Sequence, residues 1–153
     1  MRIERRLAHS GFTLTRDYPA PLERVWDAFA DETEKLKWWG DGDSLEARDW
    51  AFDFRVGGRD IDEGKFHNGP LSRYEATYTD IVEHVRIVTT YDMWLDGVHM
   101  STSVASLEFE STAEGTRFTQ TEHGVFVDRF WDAGPGREEG TAGLLAALGD
   151  HLA

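Results

Sequence analysis

The last third of the chain alternates its side chains with a period of two and then turns into an apolar helix. This alternation predicts a strand from Gly115 to Phe126. One face of the strand is apolar but interrupted, and the other faces water with Arg117, Thr119, Thr121 and His123. The interrupted face carries Phe118, Gln120, Glu122 and Phe126. Because a carboxylate buried without a partner is costly, Glu122 on this face indicates a cavity wall rather than a packed core. The pattern therefore predicts a binding pocket between a sheet and the helix that follows.

Residues 11 to about 40 predict one strand followed by two helices. Residues Gly11 to Tyr18 alternate as a strand, and the prolines at 19 and 21 end it. A helix follows, because apolar residues recur at helical spacing: Leu22, Val25, Trp26 and Phe29. Asp31 can cap a second short helix through Leu36 and Trp38, which the Gly-Asp-Gly-Asp run at 40–43 breaks.

From residue 45 to residue 126 the chain reads as strands joined by short turns. Strong turn signals stand at Val56-Gly57-Gly58, His67-Asn68-Gly69-Pro70 and Asp96-Gly97. After Gly134-Pro135-Gly136, the pair Glu138-Glu139 opens a last helix whose apolar face is Leu144, Leu145, Leu148 and Leu152. The predicted strands are Leu45–Phe54, one ending near Phe66, Arg73–Ile81, Val85–Trp94, Met100–Glu110 and Gly115–Phe126.

This order of elements predicts an α+β protein with an antiparallel sheet of about seven strands. Strands joined by short hairpins are antiparallel. The terminal helix is the element left to cover the inner face of a curved sheet, and two short helices follow the first strand. No repeat or linker interrupts the order, so residues 1–153 form a single domain.

Composition excludes several classes of function. A formal net charge of −13 argues against nucleic acid and against an anionic membrane surface, since both require a basic patch. The absence of cysteine excludes disulfides and thiolate chemistry. No apolar run follows the start at Met1 to Arg6, and no stretch approaches the roughly 20 apolar residues of a membrane span. We therefore expect a cytoplasmic protein with no membrane insertion.

Several segments together resemble the START-like (SRPBCC) superfamily, and within it the family related to the activator of the heat-shock-protein-ninety ATPase. The order and spacing of the segments carry the resemblance, which covers the chain from about Gly11 onward. It implies the helix-grip (birch-pollen-allergen-like) fold, in which a curved sheet grips a long C-terminal helix over its concave face, with a cavity between them. The segments are Phe12-x-Leu-x-Arg16, Ala20-Pro21-x-Glu23-x-Val25-Trp26, Asp53 to Arg59, Arg86 to Tyr91, and Gly115-Thr116 through Gly124.

One position departs from the pattern of this family. Many members have Gly-Trp where the chain has Gly140-Thr141, within a run from Arg137 to Thr141. Losing an indole there leaves room near the start of the helix. The size and mouth of the cavity are therefore expected to differ from the common pattern.

The sequence contains no recognisable motif for a metal site, a cofactor site or a nucleophile elbow. The six histidines are scattered without the paired spacing of metal ligands, so we expect neither a metal nor another cofactor. A Gly-x-Ser-x-Gly nucleophile elbow is absent. The Gly57-Gly58 pair lacks the other glycines and the following helix of a phosphate loop, which favours a β-turn.

Polar and aromatic residues expected to face the cavity are the candidate ligand contacts. Arg16 and Glu122 lie on the first and last strands, which are neighbours in a helix-grip sheet, so they can form a charge-assisted pair. Such a pair either satisfies itself and fixes the strand register, or orients a ligand and serves as general acid or base. Trp38 and Trp39 lie where the mouth is expected. The candidates are Arg16, Trp38, Trp39, Tyr78, His99, Ser101, Ser103, Phe118, Gln120 and Glu122.

Three functions fit these features. The first is the binding of a small apolar or aromatic molecule in the cavity, a class that includes lipid-like molecules. The second is a cyclase, hydrolase or resistance enzyme that uses the same cavity, for which no catalytic residues can be named. The third, implied by the family name, is a chaperone cofactor, but the acidic surface offers no obvious partner patch and the N-terminal domain of the eukaryotic activators is lacking. Open sheet edges and the two adjacent tryptophans also favour a homodimer.

Overall fold

The computed structural model describes residues 5–40 and 42–153 of the chain. Residues 1–4 of the start and Asp41 of the predicted Gly-Asp loop lie outside this part. Within the described residues, two short 3-10 helices, Gly42–Ser44 and Asp128–Phe130, accompany seven strands and three helices. These are β1 (Leu7–Tyr18), α1 (Leu22–Ala30), α2 (Glu32–Lys35), β2 (Leu45–Phe52), β3 (Arg59–Phe66), β4 (Leu71–Val82), β5 (Arg86–Leu95), β6 (Val98–Thr112), β7 (Gly115–Val127) and α3 (Gly134–Leu152).

All seven strands belong to one antiparallel sheet, in the order β1-β7-β6-β5-β4-β3-β2. The last strand therefore lies beside the first, as the resemblance predicted. Leu145, Leu148 and Leu152 of α3 are buried in the main core. The hydroxyl of Tyr18 donates a hydrogen bond to the carbonyl of Leu145 at 2.7 Å, which ties the helix to β1. The predicted α+β helix-grip fold is confirmed.

The turn between β5 and β6 shows how local sequence determines this topology. Asp96 and Gly97 have φ angles of 51° and 76°. A two-residue hairpin loop with positive φ at both positions matches the twist of the flanking strands, and Asp-Gly is suited to it. The predicted hairpin is confirmed at this position.

Several element boundaries differ from the sequence prediction, most of them by one or two residues, and those of β1, α2 and α3 have a clear physical reason or consequence. β1 begins at Leu7 rather than Gly11, because its register with β7 runs on from Gly11↔His123 to Leu7↔Val127. α2 ends at Lys35, and Trp38 follows in a turn. α3 begins at Gly134, because proline is tolerated in a first turn where its missing N–H has no partner to lose.

The edges of the sheet are formed by β1 and β2. Within the described residues, each has one side without a neighbouring strand, where a second copy could pair. The homodimer stays a prediction. Among the described residues, no helix is long and apolar enough to cross a membrane. Within the same residues, no group of three or more His, Asp or Glu side chains could hold a metal ion.

Candidate functional site

A cavity of about 670 Å³ lies between the concave face of the sheet and α3. Its volume falls in the range of pockets that enclose drug-sized molecules. The wall is largely aromatic and aliphatic, and polar side chains form two separate clusters on it. The main apolar lining residues are Phe29, Trp38, Trp39, Tyr74, Ile87, Met93, Leu107, Leu144 and Leu145.

The first polar cluster consists of Gln120, Glu122, Tyr91 and Arg137, all of which line the cavity. Glu122 is 5% exposed. One of its carboxylate oxygens accepts from the Tyr91 hydroxyl, and the other accepts from the Gln120 amide at 2.6 Å. The Tyr91 oxygen in turn accepts from Nη1 of Arg137 at 3.0 Å. The hydroxyl thus links the carboxylate to the guanidinium.

The position of Arg137 is fixed by contacts on several sides. Its Nη2 donates to the Ser101 hydroxyl at 2.9 Å, and its guanidinium lies 4.9 Å from the centre of the Phe126 ring. One turn further along α3, the Thr141 hydroxyl donates to the Arg137 carbonyl at 2.9 Å. A guanidinium has five N–H donors, so Arg137 can keep these contacts and still donate to a ligand.

The second polar cluster consists of Lys35, Asp60 and Tyr78. The Lys35 ammonium lies 2.5 Å from Oδ2 of Asp60, and the Tyr78 hydroxyl donates to the same oxygen at 3.2 Å. Lys35 is 4% and Asp60 1% exposed, so this is a buried ion pair. Oδ1 of Asp60 has no hydrogen-bond partner within the part of the chain that the structure describes.

A second ion pair holds Trp39 on the cavity wall. Arg48 and Asp62 pair through two hydrogen bonds of 2.9 Å each. The Trp39 indole donates to Asp62 at 3.2 Å, and the Trp39 carbonyl accepts from Arg48 at 3.2 Å. Trp39 is therefore anchored at both its ring and its backbone.

The start of α3 borders the cavity, and the effect of Thr141 on the cavity's size and mouth stays a prediction. Gly136, Gly140 and Thr141 all line the cavity. A Cβ added at either glycine would meet no described atom within 4 Å. Free space therefore reaches the first turns of the helix.

The structure brings five of the ten candidate residues together on the cavity wall. These are Trp38, Trp39, Tyr78, Gln120 and Glu122. Their role in binding a ligand stays a prediction. The inward orientation of Gln120 and Glu122 follows from the alternation of β7, whose buried side includes Thr116, Phe118 and Glu122.

The predicted pair between Arg16 and Glu122 is wrong. Both residues lie on the concave side of the sheet, but the register places Phe12 opposite Glu122 and Phe118 opposite Arg16. The two backbone positions are thus four residues, or roughly 13 Å, apart along the strands. The Arg16 guanidinium instead donates to the Thr15 carbonyl at 2.9 Å, and Arg16 does not line the cavity.

His99 is exposed at the hairpin end of β6 and does not line the cavity. The register between β5 and β6 shifts between Met93↔Ser101 and Trp94↔His99, which leaves Met100 as an extra residue. Such a bulge reverses the alternation of the residues beyond it. Met100 rather than His99 consequently lines the cavity.

The other three candidates are buried away from the cavity surface. Ser101 holds Arg137, as described above, and so supports the first polar cluster from behind. Ser103 lies opposite Gly124 on the neighbouring strand. Phe118 is wholly buried, and its ring stacks on Phe29 at 5.2 Å between ring centres.

Sequence reasoning missed Arg137, Tyr91, Lys35 and Asp60 as members of the two clusters. Arg137 had a detectable signal, because it lies four residues before Thr141 and eight before Leu145 on the buried stripe of α3. A charged residue on an apolar stripe needs a partner when it is buried. Asp60 carried no such signal, because several residues of its strand are charged.

Three of the four tyrosines of the chain are buried and Tyr74 is partly buried against the core, and loss of solvent raises the pKa of each hydroxyl. The pKa of Tyr18 rises to about 12. The pKa of Tyr91 also rises to about 12, where Arg137 lowers it and Glu122 raises it. For Tyr74 and Tyr78 the shift is larger, with the Asp60 carboxylate adding to burial.

We expect these shifts to make the fold sensitive to alkali. Because the folded pKa values lie above the unfolded value of about 10, the tyrosines favour the folded state fully below that pH. Their contribution is lost as pH rises from there through the folded pKa values, near 12 for Tyr18 and Tyr91. The near-ultraviolet absorbance of tyrosinate, followed against pH, should therefore rise only together with loss of the folded signal.

The guanidinium-unfolded protein is the control for this titration, and it should titrate near pH 10, about the value of free tyrosine. A tyrosine that ionises near pH 10 in the folded protein would contradict the expectation.

Comparison with known proteins agrees with this architecture. Residues 19–153 match the sequence profile of the family described as Activator of Hsp90 ATPase homolog 1-like protein. The chain matches no curated protein. Among solved structures, Mll3558 from Rhizobium loti is 43% identical, with a TM-score of 0.89 over 96% of this chain and 99% of that one.

Two further solved structures have the same fold. A protein from Rhizobium leguminosarum is 32% identical, with a TM-score of 0.91 over 97% of each chain. The AHSA1-like protein from Aeromonas hydrophila is 18% identical, with a TM-score of 0.70 over 92% of this chain and 90% of that one, a likeness in fold alone. The match over residues 19–153 and the two rhizobial relatives confirm the predicted family. The chain therefore belongs to the Activator of Hsp90 ATPase homolog 1-like family of the START-like superfamily.

Proposed function

We propose that the protein binds a small, neutral, largely apolar or aromatic molecule in the cavity between the sheet and α3. The observation that carries the proposal is the first polar cluster, which places a buried carboxylate, an amide and a guanidinium on an otherwise aromatic wall. A pocket of this kind gains affinity from its apolar surface, and a few fixed polar groups give orientation.

The charges of the wall favour a neutral ligand. Lys35 is paired with Asp60, and Arg48 is paired with Asp62. Arg137 is linked to Glu122 through the Tyr91 hydroxyl. Because Lys35 and Arg48 each contact a carboxylate and Arg137 reaches one through Tyr91, an anionic ligand would have to compete with existing partners.

The first polar cluster supports binding rather than catalysis. Both Glu122 oxygens already accept hydrogen bonds, from Tyr91 and from Gln120. The pKa of Tyr91, at about 12, is far from neutral pH, where general acid–base catalysis is most effective. We therefore infer that these groups orient a ligand.

The Glu122→Gln variant tests the proposal. The substitution keeps the shape of the side chain but removes its charge. The new amide nitrogen then faces a donor group from which Glu122 had accepted a hydrogen bond. We expect the substitution to weaken binding of a phenol-bearing aromatic probe about fivefold to tenfold, the size of one net hydrogen bond. Tryptophan fluorescence, which Trp38 and Trp39 on the wall make sensitive to a bound probe, measures the dissociation constant.

Arg16→Gln is the matched control, since Arg16 shares the concave face but does not line the cavity. It should leave the dissociation constant unchanged. Equal affinities of wild type and Glu122→Gln would contradict an orienting role for the cluster. Failure of the wild type to bind any aromatic probe would contradict the function itself.

A further inference from the structure

The second polar cluster has hydrogen-bonding capacity that the protein leaves unused. Oδ1 of Asp60 is buried without a partner in the described part of the chain. An ammonium has three donors, and the one hydrogen bond of Lys35 found among the described residues goes to Asp60. Since buried polar atoms are almost always satisfied, a group absent from the polypeptide is expected to supply this contact.

Two members of this cluster face the ligand space. Lys35 and Tyr78 both line the cavity, and Asp60 lies directly behind them. The Lys35 ammonium also lies 4.4 Å from the centre of the Trp39 ring, which lines the cavity. A ligand hydroxyl at this point can accept from Lys35 and donate to the carboxylate or to a water held on it.

The strand register places Tyr78 of the second polar cluster and Glu122 of the first on strands that are not neighbours. Tyr78, Thr89, Ala105 and Glu122 form one row of cross-strand partners, three strand spacings long. With strands about 4.8 Å apart, this row spans roughly 14 Å at the backbone. Within this row Thr89 and Ala105 lie between Tyr78 and Glu122, and Ile87 and Leu107 of the adjacent row make this part of the wall largely apolar.

From this arrangement we propose that the cavity binds an elongated aromatic molecule with a hydroxyl group at each end. One hydroxyl lies at the first polar cluster, and the other lies at the second. The proposal rests on the proposed function and adds a second subsite to it. The aromatic body spans the apolar wall between the two clusters.

Three stilbene probes test the proposal: one without a hydroxyl, one with a single para hydroxyl and one with a para hydroxyl on each ring. With the wild-type protein, we expect each added hydroxyl to lower the dissociation constant about fivefold. In a Lys35→Met/Asp60→Leu variant, the gain from the second hydroxyl should disappear while that from the first remains. In Glu122→Gln, one hydroxyl should likewise lose its effect.

Two further variants, Tyr78→Phe and Lys37→Met, separate the loss of the second subsite from a general loss of stability. Replacing both partners of the ion pair avoids an unpaired buried charge, and Tyr78→Phe removes only one hydroxyl of the same cluster. Lys37→Met is the matched control, because Lys37 lies two residues from Lys35 but its side chain is 54% exposed. It should preserve both gains.

The outcomes separate the two proposals. If the single-hydroxyl stilbene binds but the second hydroxyl gives no gain, the second subsite is wrong and the cluster holds water alone. An unchanged gain in the Lys35→Met/Asp60→Leu variant would overturn it as well. If no stilbene binds the wild-type protein, the proposed function fails together with the subsite.

Discussion

Replacing Lys35 by methionine is expected to lower the free energy of unfolding by about 3–5 kcal/mol. The substitution leaves the Asp60 carboxylate, which is 1% exposed, with no cation in contact and with the Tyr78 hydroxyl as its donor. An unpaired buried charge is costly because the protein interior solvates it poorly. Urea denaturation, analysed with the slope held common to wild type and variant, measures the loss.

The double variant Lys35→Met/Asp60→Leu isolates the physical cause. Replacing both partners by apolar residues removes the unpaired charge, so most of the lost stability should return. Lys37→Met, which removes an exposed pair with Glu34, should cost less than about 1 kcal/mol. A double variant no more stable than Lys35→Met would show that packing of the lysine stem, rather than charge, accounts for the loss.

Leu148→Ala is expected to cost about 2–5 kcal/mol of unfolding free energy. Leu148 is wholly buried on the face of α3 that packs into the main core. Truncation removes buried apolar surface and leaves a cavity that the sheet and helix cannot fully close. The same urea measurement applies, and the change should appear in the midpoint.

Leu7→Ala is the matched control, because Leu7 is 68% exposed at the start of β1. It should change stability by no more than about 0.5 kcal/mol. If Leu148→Ala were equally mild, α3 would not be the element that closes the core.

The elements of this fold could largely be predicted from the sequence, because their signals are local. The alternation of β7 places Glu122 and Gln120 inward, and the Asp-Gly turn produces the β5–β6 hairpin. The exposed and buried faces of a strand follow from its period of two, whatever the neighbouring strand is. The family resemblance then supplied the order of the strands, which periodicity alone does not contain.

Which side chains meet at the site depends on the pairing register of the strands, which the sequence does not show. Arg16 and Glu122 share a face, but the pairing of β1 with β7 keeps them four residues apart. One extra residue at Met100 was enough to turn His99 outward. Because one residue of slip or bulge moves a side chain to the other face, alternation predicts orientation only between such irregularities.

Residue patterns alone were enough to predict the class of the fold, the inward carboxylate and the apolar face of the last helix. Each of these follows from residues close together along the chain. The tertiary structure decided that Tyr91 joins Glu122 to Arg137, and that Lys35 meets Asp60. These partners lie between 25 and 46 residues apart in sequence, so only the packing of strands and helices could bring their charges together.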